Sequence, residues 1–152
     1  MISNTQSLQS IRESWNSVRI YEAMVDTHMS APPLSPAGFL RPSEFTNLCY
    51  SLIVLFAFSV LEDALKELRL EGKFSSDSTN LSSLMKSSRA HLPWSNFNDV
   101  DSARERRNEI AHDQKLVSPT ECKSFLNAIE DELVAWGVLQ HEVKGNYTIS
   151  SG

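Results

Sequence analysis

Apolar residues return every three or four positions from about Thr5 to His28, at Leu8, Ile11, Trp15, Val18, Val25 and Met29, with one break at Glu22. That spacing keeps one side of an α-helix apolar and predicts an amphipathic first helix facing a core. His28 falls near its end, where a cation complements the helix dipole. Between Ser30 and Pro42 come Pro32, Pro33, Pro36, Pro42 and Gly38, a density no helix survives. The expected structure there is a long irregular connection, with Leu34, Phe39 and Leu40 packing over the end of a bundle. Ser43 and Glu44 then open a second helix as N-cap and first-turn acid. Its run LCYSLIVLFAFSVL, Leu48 to Leu61, is nearly all apolar. A membrane span needs about 20 such residues, and this run is shorter and flanked by Glu44, Glu62 and Asp63. It reads as a central helix covered on most sides by other helices, in part by a second subunit. From Glu62 to Leu70 the pattern turns amphipathic and stops at Gly72.

A polar loop from Phe74 to Thr79 leads to a short helix capped by Thr79 or Asn80 and carrying Leu81, Leu84, Met85 and Leu92. Lys86, Arg89 and His91 make its end basic. Pro93, Trp94 and Phe97 break it; Trp94 reads as a cover over the bundle end, with stacking on a base as the alternative. Asp99 or Asp101 is expected to cap a fourth helix running through His112, whose apolar side is sparse: Val100, Ala103 and Ile110. Ser118, Pro119 and Glu121 form a strong helix start, N-cap, first-position proline and capping-box acid. Cys122, Phe125, Leu126, Ile129, Leu133 and Trp136 hold a clean stripe as far as Gly137. The expectation is an all-α, up-and-down bundle of four to five helices over residues 1–137. Residues 138–152, with a Lys144-Gly145-Asn146 turn, form a marginal hairpin or a loose tail.

Composition narrows the function classes. At 152 residues with 41% hydrophobic and 22% charged residues, one globular domain is expected. A net charge of −5 argues against a surface that binds nucleic acid everywhere, so a nucleic-acid role needs a local basic patch. Cys49 and Cys122 lie within apolar helical patterns and read as buried free thiols of a reducing compartment. The opening MISNTQSLQS lacks the basic-then-apolar layout of a signal peptide, which predicts a cytoplasmic protein. No zinc-ligand spacing and no glycine-rich phosphate loop is present, and no metal or cofactor is expected.

The chemistry gathers in Asp101 to Gln114, DSARERRNEIAHDQ. On a helix, Arg104, Asn108 and His112 share one slanted row. Arg107 precedes His112 by five residues, so the two point about 140° apart with about 7.5 Å between them along the axis. An Arg side chain is long and flexible enough to curl round; the geometry also suggests a helix distorted near the motif, or a constellation shared between two chains. His112 can exchange a proton near neutral pH, Arg107 offers a fixed fork of donors for phosphate oxygens, and Asn108 can hold an imidazole or ligand. The plain alternative is a solvated, salt-bridged helix in which Asp101, Glu105 and Glu109 pair with Arg104 and Arg106.

Arg107-Asn108-Glu109-Ile110-Ala111-His112 resembles the Arg-Asn-x-x-x-His signature of HEPN domains, helical nucleotide-binding domains many of which are ribonucleases, including toxins and antiphage effectors. The basic residue before the motif and Asp113 after it also resemble that family. The resemblance implies a metal-independent endoribonuclease with Arg107, Asn108 and His112 catalytic, and Arg104, Arg106, Glu62 and Asp113 available to substrate or to the catalytic groups. Glu62 carries two readings: an acidic residue orienting the Arg and His, or the point where the central helix meets solvent. The resemblance further implies a homodimer acting on RNA or a nucleotide, with an antitoxin as a possible partner and no membrane. A non-catalytic module that holds nucleotide, RNA or protein is the alternative. The acidic overall charge and the proline-rich connection depart from what the family leads one to expect.

Overall fold

The computed structural model describes residues 2–30 and 43–140. Among these, five helices follow one another: α1 (Thr5–Ser30), α2 (Ser43–Leu70), α3 (Leu81–Ser88), α4 (Phe97–Asp113) and α5 (Pro119–Ala135). The all-α bundle expected from the periodicity is what forms. The proline-rich connection and the Lys144-Gly145-Asn146 turn lie outside the described residues.

Local sequence sets most helix ends. Asn4 accepts from the Gln6 and Ser7 amides at 3.1 Å and opens α1. Asn80 accepts from Ser83 N at 2.9 Å and opens α3. Ser118 and Glu121 form the complete capping box, with Pro119 at the first turn of α5. Beyond α2 and α5 the chain turns through Gly72 (φ 76°) and Gly137 (φ 71°), a conformation in which a Cβ is strained.

Side-chain ties give the helix directions. The Glu71 carboxylate, just past α2, accepts from the Ser3 and Asn4 amides at 2.5 and 2.9 Å, so α1 starts where α2 ends. Arg12 donates to the Val138 carbonyl at 2.8 Å, while Lys123 meets Asp26 at 2.6 Å near the other end, making α1 and α5 antiparallel. Trp94, just before α4, packs edge-on against Trp136, just after α5, with ring centroids 4.7 Å apart. The long helices therefore alternate in direction around α2, whose Val54, Ala57, Phe58, Leu61, Ala64 and Leu65 are fully buried. Glu44–Leu70 is long and apolar enough to cross a membrane, and 56% of its most apolar window is buried inside the bundle. Packing against the other helices accounts for the buried part of that apolarity. The core continues past Gly137 to a fully buried Val138.

The break at Glu22 marks a buried polar cluster. Arg19 is 8% exposed; its Nε meets Glu130 at 2.6 Å, its Nη1 meets Glu22 at 3.0 Å and its Nη2 donates to Asn127 at 2.8 Å. Trp15 Nε1 also donates to Glu130, at 2.8 Å. Burial alone would lower the Arg19 pKa, but the two carboxylates outweigh it and raise it. Tyr50 donates to Asp26, and burial together with that carboxylate raises the phenol's pKa. Beside this cluster, burial pushes the Cys122 thiol up to about 12, so it is an inert core group.

Candidate active site

α4 starts earlier than the expected Asp99 or Asp101 cap. Its first residue is Phe97, and the preceding Asn96 makes no side-chain cap bond. A carboxylate of α5 instead holds the two amides that lead into the helix. Glu132, fully buried, accepts from the Ser95 amide at 2.8 Å and the Asn96 amide at 2.5 Å. Burial raises the Glu132 pKa, and the two amides partly offset that rise. Phe97, expected to help break a helix, therefore begins one.

The far end of α4 carries the motif, and it is clasped. Gln114 adopts the left-handed conformation (φ 53°), and the Glu109 carbonyl accepts from the amides of Gln114 and Lys115. Arg106 holds the turn that follows: Nη1 donates to the Lys115 carbonyl at 3.0 Å, Nη2 to the Leu116 carbonyl at 2.8 Å, and Nε to Glu121 at 3.2 Å. Lys115 Nζ meets Glu109 at 2.8 Å, and Lys115 with Arg106 holds that carboxylate's pKa below its ordinary value. Val117 then donates its amide to Ser51 Oγ at 2.8 Å, fixing the turn to α2. The donors of Arg106 thus serve the α4–α5 connection.

The other motif residues divide clearly. Arg104 is tied to Asp101 at 2.8 Å and approaches Glu105 at 3.7 Å. Arg107 follows Ala103 by four residues and precedes Ile110 by three, so it shares the side of α4 that carries both buried residues. Its Nη1 donates to Asn108 Oδ1 at 3.1 Å, and its Nε is out of solvent with no hydrogen-bond partner. Of the three arginines in the cluster, it is the one with no carboxylate partner among the described residues. His112 and Asp113 are exposed in the last turn. α4 is unbroken α-helix from Phe97 to Asp113, so the undistorted geometry holds and Arg107 and His112 point about 140° apart. The expectation of a local distortion is not met. Glu62 pairs with Lys66 at 2.6 Å on its own helix. It stands eleven residues beyond Ser51, about 16 Å along α2, toward the α3 end of the bundle and away from His112. Among the described residues, no three His, Cys, Asp or Glu side chains gather to hold a metal ion.

No family model, curated protein or solved structure matches the chain. The likeness to HEPN domains therefore rests on the six motif residues alone.

Proposed function

We propose that the chain is a HEPN-like, metal-independent endoribonuclease of the kind found as toxins or antiphage effectors, with Arg107, Asn108 and His112 as its working groups. The observation that carries this reading is the state of Arg107. In a chain of net charge −5, a half-buried guanidinium keeps a dry, unpaired Nε beside an asparagine. Two neighbouring arginines of the same helix are consumed by carboxylates and carbonyls. A buried donor without an acceptor costs free energy, and a turn of the side chain that brings this guanidinium to a phosphate oxygen relieves that cost. His112 in the exposed last turn exchanges a proton with a ribose 2′-hydroxyl or the leaving oxygen, and Arg107 offsets the extra charge on phosphorus. Asp113 stands beside His112 in sequence and is open to substrate.

The straight α4 turns Arg107 and His112 of one chain about 140° apart, and a site that takes one group from each of two chains brings a guanidinium and an imidazole to one phosphate. A pairing surface lies beside the motif. Phe45, Leu48 and Leu52 form an exposed stripe on α2, 48%, 43% and 56% accessible, and Ser51, which anchors Val117, adjoins Leu52. Tyr21 and Met24 of α1 extend the same apolar surface, with the Tyr21 ring 6.2 Å from that of Phe56. An exposed apolar patch of this kind marks an interaction surface. Light scattering should show a dimer at micromolar concentration, and Leu52→Glu should convert it to a folded, inactive monomer. A monomeric wild type contradicts the pairing.

The second reading, a non-catalytic module that holds RNA or nucleotide phosphate, draws on the same separation of the two groups within one chain. Incubation of purified protein with RNA in EDTA separates the two. Cleavage products support the ribonuclease; binding without products supports the module.

A further inference from the structure

From Ser78 to Asn98 the chain has no acidic residue, yet Lys86, Arg89 and His91 all fall there, in a protein of net charge −5. All three are exposed. Arg89 lines an open groove of about 360 Å³ between α3 and α4, together with Trp94, Asn96, Phe97 and Asn98 among others. The Arg89 guanidinium lies 4.5 Å from the centroid of the Phe97 ring and has no carboxylate partner among the described residues. A guanidinium laid on a ring leaves its edge donors free for phosphate oxygens. The nearest acids of α4 are occupied, Asp99 by the Asn96 amide group and Asp101 by Arg104.

The groove is aligned with the motif. Phe97 lies two turns before Arg104 and about 20° from it around α4, on the face that leads to Asn108 and His112. Fifteen residues separate Phe97 from His112, about 22 Å along the helix. At a stacked spacing of about 3.4 Å per nucleotide, that is a run of about six nucleotides.

We propose that this groove is a second contact site for single-stranded RNA, in which Arg89 takes a backbone phosphate and a base lies against the Trp94–Phe97 wall, some six nucleotides from the scissile bond. The proposal rests on the ribonuclease reading for its direction along α4, and it fixes the substrate class as single strands of at least that length. The test uses a 2′-O-methyl octauridylate, which lacks the hydroxyl needed for cleavage, and measures Kd against salt for the full chain. Arg89→Gln should weaken binding about fivefold or more and flatten the log Kd–log salt slope by about 0.7, the value of one lost phosphate contact. Arg89→Lys, which keeps the charge and loses the flat stack, should retain the slope while binding more weakly. An Arg89→Gln protein with wild-type affinity and slope overturns the subsite, even if wild type cleaves RNA. An Arg89-dependent slope in a protein that yields no cleavage products in EDTA keeps the subsite and removes the ribonuclease reading.

Discussion

His112→Ala should lower RNA cleavage by about 10²–10⁴-fold, the range of a lost acid–base group. Arg107→Ala should lower it by about 10²–10³-fold, the range of a lost donor to developing charge. Both proteins should keep the wild-type circular dichroism and thermal midpoint, for reasons visible in α4. His112 is exposed in the last helical turn, and Ala is the better helix former. Arg107 makes one side-chain bond, to Asn108, and its removal also takes away a buried unpaired donor. Losing that donor offsets part of the packing lost with the side chain. Arg107→Lys should recover little activity, because an ammonium lacks the flat fork that matches two phosphate oxygens. Rates equal to wild type in both alanine variants, measured on a fluorescent RNA in EDTA, would remove the assignment.

The largest expected effect on stability lies elsewhere. Arg19→Ala should cost about 3 kcal/mol in urea unfolding, because it removes the cation shared by Glu22 and Glu130 at a site where Arg19 itself is 8% exposed, leaving Glu22 to Lys123 at 3.6 Å and Glu130 to the Trp15 indole. Against a total of about 5–15 kcal/mol for a domain, that is a large share. Replacing Glu130 as well should cost less than the sum of the two single changes, since each single variant leaves an unmatched charge. A loss below about 1 kcal/mol for Arg19→Ala would mean that solvent reaches the cluster and that it does not tie α1 to α5.

The helices were legible where the signal is local. The Ser118 capping box, the Asn80 cap and the turns at Gly72 and Gly137 depend on residues within one turn of each other. The start of α4 was not legible, because the carboxylate that holds the chain entering it is Glu132, some 36 residues away in sequence and brought close only when α5 docks. Glu22 showed in the sequence as an interruption, but its meaning needed Arg19 and Glu130 to meet across two helices. The candidate site divides in the same way. Helical spacing put Arg104, Asn108 and His112 on one row and turned Arg107 away from it. It could not show that Arg106 is taken up by the Lys115 and Leu116 carbonyls, since those reach Arg106 only through the left-handed turn at Gln114. The Glu62–Lys66 pair, by contrast, is an i, i+4 pair within one helix that the spacing could have shown.

The proposed site brings a guanidinium from one chain and an imidazole from its partner to the same phosphate. Mixing the inactive Arg107→Ala and His112→Ala proteins, with a brief mild denaturation to exchange subunits, tests it directly. In a shared site, each mixed dimer keeps one intact pair, and random exchange should restore about a quarter of wild-type cleavage. If each chain used its own two groups, every site in the mixture would lack one of them, and cleavage staying at the level of the separate variants would contradict the account.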